Sequence, residues 1–139
     1  MLVPIDYLQD LARISRGING DDAEALKRKK HMHLWGREFM TMLAVDLGLL
    51  PDAFEVRSSF GGKAESGEVY LDTQNFYAWL SESRVGQGGC GITYRTFEND
   101  GRTGANHFKG MSSVAADYLA FVAECRGLMK QSGASPRRG

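Results

Sequence analysis

Cys90 and His107 are residues of the kind that can do nucleophilic chemistry, and they fall on neighbouring predicted loops. A cysteine attacks as its thiolate, so it needs a base or cation within reach; His107 is the candidate base, and Asp100 stands between them in the chain. A cysteine-dependent enzyme built on Cys90 and His107 is therefore one reading. The competing reading of Cys90 is a small residue opening a strand. The six residues Gly86-Gln87-Gly88-Gly89-Cys90-Gly91 also spell G-x-G-x-x-G, a pattern that lets backbone approach a phosphate. That site needs a strand before the glycines and a helix after them. Here Ile92 to Phe97 reads as another strand, so a hairpin loop without a cofactor is expected.

His31 and His33 are two apart in a predicted helix, roughly 200° around its axis, so they do not converge on one metal ion. No metal site is expected. Lys27-Arg28-Lys29-Lys30 is the dense basic patch of the chain, with contact to phosphate or to an acidic partner as its functional reading and a solvated helix end as the plain one. Cys125 falls on an apolar helix face and reads as core.

These residues hang on a middle stretch, Ala53 to Phe97, that alternates apolar and polar side chains at period two. Phe54, Val56, Ser58 and Phe60 form one run; Val69, Leu71 and Thr73 a second; Phe76, Ala78 and Leu80 a third; Ile92, Tyr94 and Thr96 a fourth. Four strands are predicted, with Val69, Leu71, Phe76, Ala78, Leu80 and Ile92 on a buried side shared with Trp35, Phe39, Leu119 and Val122. The residues that alternate the other way include Tyr70, Tyr77, Trp79, Arg95 and Phe97. Tyr, Trp and Arg are enriched at the centres of protein interfaces, and the same types stack on single-stranded bases. Glu55, Glu68, Asp72 and Glu82 lie on or near that face, and mixed charge favours a protein partner over bare nucleic acid.

Helices flank the strands. Ile5, Leu8, Leu11, Ala12 and Ile14 recur at helical spacing from Pro4 to Ser15, and the glycines and asparagine of residues 16–20 end that helix. Asp21 and Glu24 have the spacing of a capping box, opening a helix of about 27 residues that Gly48 and Pro51 stop. Its basic end is expected to overhang the core. Arg102 to Gly110 lacks clear periodicity and reads as an ordered loop or short edge strand. Ser112 or Ser113 can cap a last helix whose apolar stripe is Ala115, Tyr118, Leu119, Val122, Cys125 and Met129. The predicted class is α+β: a four-stranded antiparallel sheet with helices packed on one face, in the order ααββββα.

Size and composition fit this outline. A chain of 139 residues with 42% hydrophobic and 24% charged residues can bury a core without disulfides. Residues 1–130 are expected to form one domain, and the Ser, Gly, Pro and Arg of 131–139 a flexible tail. Seventeen basic residues balance seventeen acidic ones, which disfavours broad binding to duplex DNA. Two cysteines on separate elements suit a reducing, cytoplasmic setting. No apolar run approaches the roughly 20 residues needed to span a bilayer, and the N-terminus lacks the basic start of a secretory signal.

Three segments, Ser66 to Leu71, Gly91 to Phe97 and Gly104 to Phe108, resemble stretches of uncharacterised small proteins encoded on bacterial plasmids and phages. The resemblance covers about residues 54 to 110 and carries over no catalytic residue. It implies a setting in which short proteins block host defences, anti-restriction and anti-CRISPR inhibitors among them. The leading expectation is thus a non-enzymatic protein that occludes a host protein or ribonucleoprotein surface. A single-stranded nucleic-acid binder using the aromatics and Lys27 to Lys30 is the alternative, beside the cysteine enzyme.

Overall fold

The computed structural model describes residues 8–9, 23–62, 66–82, 90–97 and 102–131. Of the predicted N-terminal helix only Leu8 and Gln9 fall within this set; both are helical, and Leu8 is fully buried. The turn at residues 16–20, the Asp21 cap, the glycine loop at 84–89, the turn at 99–101 and the tail beyond Gln131 lie outside the described residues.

Helix α1 spans Ala23–Asp46. Its buried stripe of Ala25, Lys29, Met32, Gly36, Phe39, Met40, Leu43 and Ala44 repeats at three- and four-residue steps, the spacing that keeps side chains on one side of an α-helix. Gly48 ends it with φ of 88°, a left-handed conformation that glycine adopts without a Cβ clash. The Leu49 N–H then reaches the Ala44 carbonyl at 3.1 Å and the Gly48 N–H the Val45 carbonyl at 2.9 Å, satisfying two terminal acceptors. A 3-10 turn at Pro51–Ala53 leads into the sheet.

The sheet is an antiparallel meander of five strands in chain order: β1 (Phe54–Ser59), β2 (Glu68–Thr73), β3 (Phe76–Glu82), β4 (Cys90–Thr96) and β5 (His107–Gly110). The expected count of four is one short. The missing strand is β5, a four-residue edge whose apolar Phe108 points to the solvent side while His107 and Lys109 face the helices, so its polarity runs against the usual pattern. Beside it, β4 ends at Thr96, and Phe97 continues the line only through an isolated bridge to Thr103.

Cross-strand register puts the apolar residues in rows. Val69 faces Leu80, which faces Ile92; Leu71 faces Ala78, which faces Tyr94. All six are buried, five with no exposed surface and Tyr94 with 1%. They meet α1 and the C-terminal helices in one core that also takes in Phe39, Met40, Leu43, Phe76 and Phe121. The helices therefore cover one face of the sheet, here called the inner face.

The last helix of the sequence reading is two helices, α2 (Met111–Ala116) and α3 (Tyr118–Gln131). Asp117 breaks the run: its backbone leaves the helical region and its Oδ1 accepts the Ala120 N–H at 3.1 Å, so its carboxylate starts a new helix. The N-terminal residue of the pair is also earlier than predicted, with Gly110 and not a serine at the cap position. The break resets the helical phase. Tyr118, Phe121, Val122, Cys125 and Met129 face the core, and Leu119, expected there, is 59% exposed. Trp35 is only partly buried at the core margin.

Two buried phenols tie these layers together. Tyr94 donates to Glu124 Oε2 at 2.5 Å, and Glu124 lies 3.2 Å from Lys109 Nζ, joining β4, β5 and α3. Tyr118 donates to Asp46 Oδ2 at 2.6 Å while Arg126 donates to the Asp46 carbonyl at 2.6 Å, pinning α3 to the end of α1. Each supplies the partner that a buried hydroxyl requires.

Truncating Leu71, in the middle of the inner face, should cost about 3 kcal/mol through lost burial and the cavity left behind. Truncating Leu119 should change stability by less than about 0.5 kcal/mol. Urea denaturation of the Leu71→Ala and Leu119→Ala variants measures both, and equal costs would contradict the phase assigned to α3.

Candidate functional site

The same register that buries one set of residues lines up another on the outer face. Arg57, Tyr70, Trp79, Thr93 and Phe108 form one row across all five strands. Glu55, Asp72, Tyr77 and Arg95 form the next row across four. Tyr70, Tyr77, Trp79, Arg95 and Phe97, singled out from the sequence, thus stand together on one side of the sheet, each half-buried. Among the described residues no helix packs over them.

The rings are in mutual contact. Centroids of Tyr70 and Tyr77 are 5.9 Å apart, those of Tyr77 and Trp79 5.1 Å, and those of Tyr77 and Phe97 6.3 Å. Arg95 lies among them, its guanidinium carbon 5.5 Å from the Tyr77 centroid, 5.7 Å from Trp79 and 5.4 Å from Phe97. Each cation–ring contact of this kind contributes about 0.5–1 kcal/mol when partly exposed, so the four side chains hold one another in place. Arg95 Nε is buried there without a hydrogen-bond partner among the described residues. At the β1–β2 end, Arg57 sits 5.1 Å over Tyr70 and 2.6 Å from Asp72, with Glu55 at 3.9 Å.

Both phenols on this face stay neutral at physiological pH. Tyr70 donates to Glu68, and that bond together with burial pushes its pKa up to about 12. Burial and the nearby Asp72 and Glu68 carboxylates raise Tyr77 as well. The surface is therefore a shelf of uncharged aromatic rings, with arginines at two points and acids along the β1–β2 side.

Phe108 belongs to this face and was not among the residues read from the sequence. It is 57% exposed and its ring lies over Gly91, where a Cβ would come within 2.4 Å of the ring. Gly91 is thus the gap that lets Phe108 lie down on β4. The Phe97 ring is set by its own backbone, whose N–H donates to the Asn75 carbonyl at 2.8 Å.

The other sequence candidates separate. Cys90 is a buried thiol in the row of Glu82, whereas His107 is opposite Tyr94 and stacked on it at 5.4 Å. The two rows are four residues apart along β4, about 13 Å of strand. His31 stacks on Trp35 at 5.9 Å, and His33 is turned inward, fully buried. Among the described residues no three His, Cys, Asp or Glu side chains are grouped to hold a metal ion.

The basic run divides in the same way. Lys27 and Lys30 are exposed, and Arg28 is half-buried and bonded to Glu24 at 3.3 Å. Lys29 is 8% exposed and donates to the Gly62 carbonyl, so it does not overhang the core as expected. One turn on, His33 Nε2 is 2.8 Å from the Ser66 carbonyl with Phe60 stacked on the ring at 4.2 Å, and Arg37 donates to Ser58 Oγ at 2.8 Å. Lys29, His33 and Arg37 are four residues apart in turn, one stripe of α1 that grips the strand β1 and its connection to β2.

An open cleft of about 460 Å³ lies where the turn before β1 meets the β2–β3 turn, lined by Asp52, Phe54, Glu55, Asp72 and Asn75 among others. It adjoins the outer face at its acidic end. Among the described residues no helix is long and apolar enough to cross a membrane. Compared with family models, with curated proteins and with solved structures, the chain finds no match.

His33 makes the grip of α1 pH-dependent. A carbonyl can only accept, so the proton sits on Nε2 and Nδ1 carries a buried lone pair without a partner among the described residues. Burial, aided by the Lys29 and Arg37 charges, depresses the imidazole below its usual pKa of 6.5. A depressed group stabilises the fold above the unfolded value and loses that contribution as pH falls toward the folded one. The urea midpoint should hold above about pH 7 and decline as pH falls below about 6.5. His33→Gln, which keeps a donor for Ser66, should flatten that decline; an unchanged slope would assign it elsewhere.

Proposed function

We propose that this chain is a non-enzymatic binding protein that docks a protein partner on the outer face of its sheet. In the setting implied by the peptide resemblance, the partner is a host protein or ribonucleoprotein, and docking occludes its working surface. The observation that carries this reading is the cluster of Tyr70, Tyr77, Trp79, Arg95 and Phe97, held together by ring and cation contacts with Phe108 beside it. Side chains already locked by neighbours lose little entropy on binding, and aromatic and arginine side chains are those that dominate interface energetics. Exposed apolar rings gathered on a face are also costly to leave in water.

Charge supports a protein partner over a nucleic-acid strand. Glu55, Glu68 and Asp72 share the face with Arg57 and Arg95, and a strand of phosphates would meet those acids. The rings alone could stack on bases, so salt dependence separates the two partners: a nucleic-acid complex weakens steeply as ionic strength rises. The cysteine-enzyme reading loses support from the buried position of Cys90 and the four-residue offset of His107.

The test begins with capture from bacterial lysate, with and without nuclease, followed by calorimetric titration of the recovered partner. Trp79→Ala should weaken binding at least about thirty-fold, the equivalent of about 2 kcal/mol, while the protein stays folded. Lys30→Ala, on the exposed part of the basic run, should shift it by less than about threefold. A dominant effect of Lys30 with an unchanged Trp79→Ala would move the working surface to the start of α1.

A further inference from the structure

The two edges of the sheet are built differently. β5 is four residues long and turns His107 and Lys109 toward the helices, the short length and inward charge that keep an edge from recruiting another strand. β1 has six residues, no proline, and Phe54, Val56 and Ser58 on its inner side, with Phe54 and Val56 packed against the core. No strand lies beyond β1 among the described residues, and the backbone groups it turns away from β2 have no partner there. An edge of this length without inward charge is a template for a further strand.

We propose that β1 is a self-pairing edge whose occupant is a second copy of this chain. The two β1 strands run antiparallel about a two-fold axis through Val56, joining two five-stranded sheets into one. The sequence of the strand selects both occupant and register. Cross-strand partners share a face, so inner faces align only if the axis passes through a residue of β1. An axis through Glu55 would set that acid against itself, and one through Arg57 would set two guanidinium groups against each other. Through Val56, Glu55 of each copy stands opposite Arg57 of the other, Phe54 stands opposite Ser58, and Val56 meets Val56. This is the self-complementarity an isologous interface requires. Arg57, already bound to Asp72 at 2.6 Å but only 3.9 Å from its own Glu55, then bridges Asp72 and the second copy's Glu55. The axis is perpendicular to the sheet, so both outer faces look the same way, a consequence independent of what binds there.

Sedimentation of the full chain at micromolar concentrations tests this. The wild type should dimerise. Glu55→Arg and Arg57→Glu should each weaken the dimer at least about tenfold by placing like charges opposite twice, and the double swap E55R/R57E should restore it to within about threefold. Because Arg57→Glu also removes the Asp72 contact, a second variant reads the geometry directly. Val56→Cys should form a covalent dimer on mild oxidation, since residues on the axis come within disulfide range, whereas Cys90 and Cys125 are buried and should not cross-link. A wild type that stays monomeric throughout, or a dimer that Val56→Cys does not cross-link and the charge variants leave intact, would overturn the proposal.

Discussion

Register among β2, β3 and β4 is the constraint on which the rest depends. Side chains alternate across a sheet, so the pairing of Val69 with Leu80 and of Leu80 with Ile92 decides at once which residues meet α1 and which meet water. A slip of one residue would put Tyr70, Tyr77 and Trp79 under the helices and expose Val69, Leu71, Ala78 and Leu80. The cost would be large, because fully burying an aliphatic side chain is favourable by about 1.5–3 kcal/mol and several would be lost together. The inner core therefore specifies the outer surface.

That outer surface is stabilised by contacts of another sort. Ring pairs such as Tyr77 with Trp79 contribute about 0.5–1.5 kcal/mol beyond burial, and Arg95 adds attraction to three ring faces without needing a buried counter-charge. Its ion-paired counterpart at the other end, Arg57, is held by Asp72 across the β1–β2 pair. The face is thus ordered before any partner arrives, while its rings remain half in solvent. Among the described residues, order of this kind comes from side-chain contacts on the strands.

The strands with a clean period of two were legible in the sequence: Val69 and Leu71, Phe76, Ala78 and Leu80, and Ile92 are all buried together, and Tyr70, Tyr77, Trp79, Arg95 and Phe97 all lie opposite. β5 was legible only as one of two options for residues 102–110, a loop or a short edge strand, because its one large apolar residue faces outward while Lys109 pairs with Glu124 on the helix side. Gly91 held a clue to it, as a glycine in a strand often marks a close approach, here by the Phe108 ring. Leu119 was misplaced because an aspartate inside an apolar helical pattern was read through, where Asp117 caps a new helix. Lys29 was hidden in a run of four charges; its spacing from His33 and Arg37 was the available signal that one stripe of α1 faces the β1–β2 connection.

The central claim is that the outer aromatic face is where a partner docks, and Trp79 can report on it directly. With Trp35→Phe, Trp79 is the sole tryptophan, and acrylamide quenching of its fluorescence measures how much solvent reaches the ring. In the free protein the half-buried ring should be quenched readily, and saturation with the recovered partner should cut the quenching constant several-fold. Equal quenching in the free and saturated protein would contradict docking on this face.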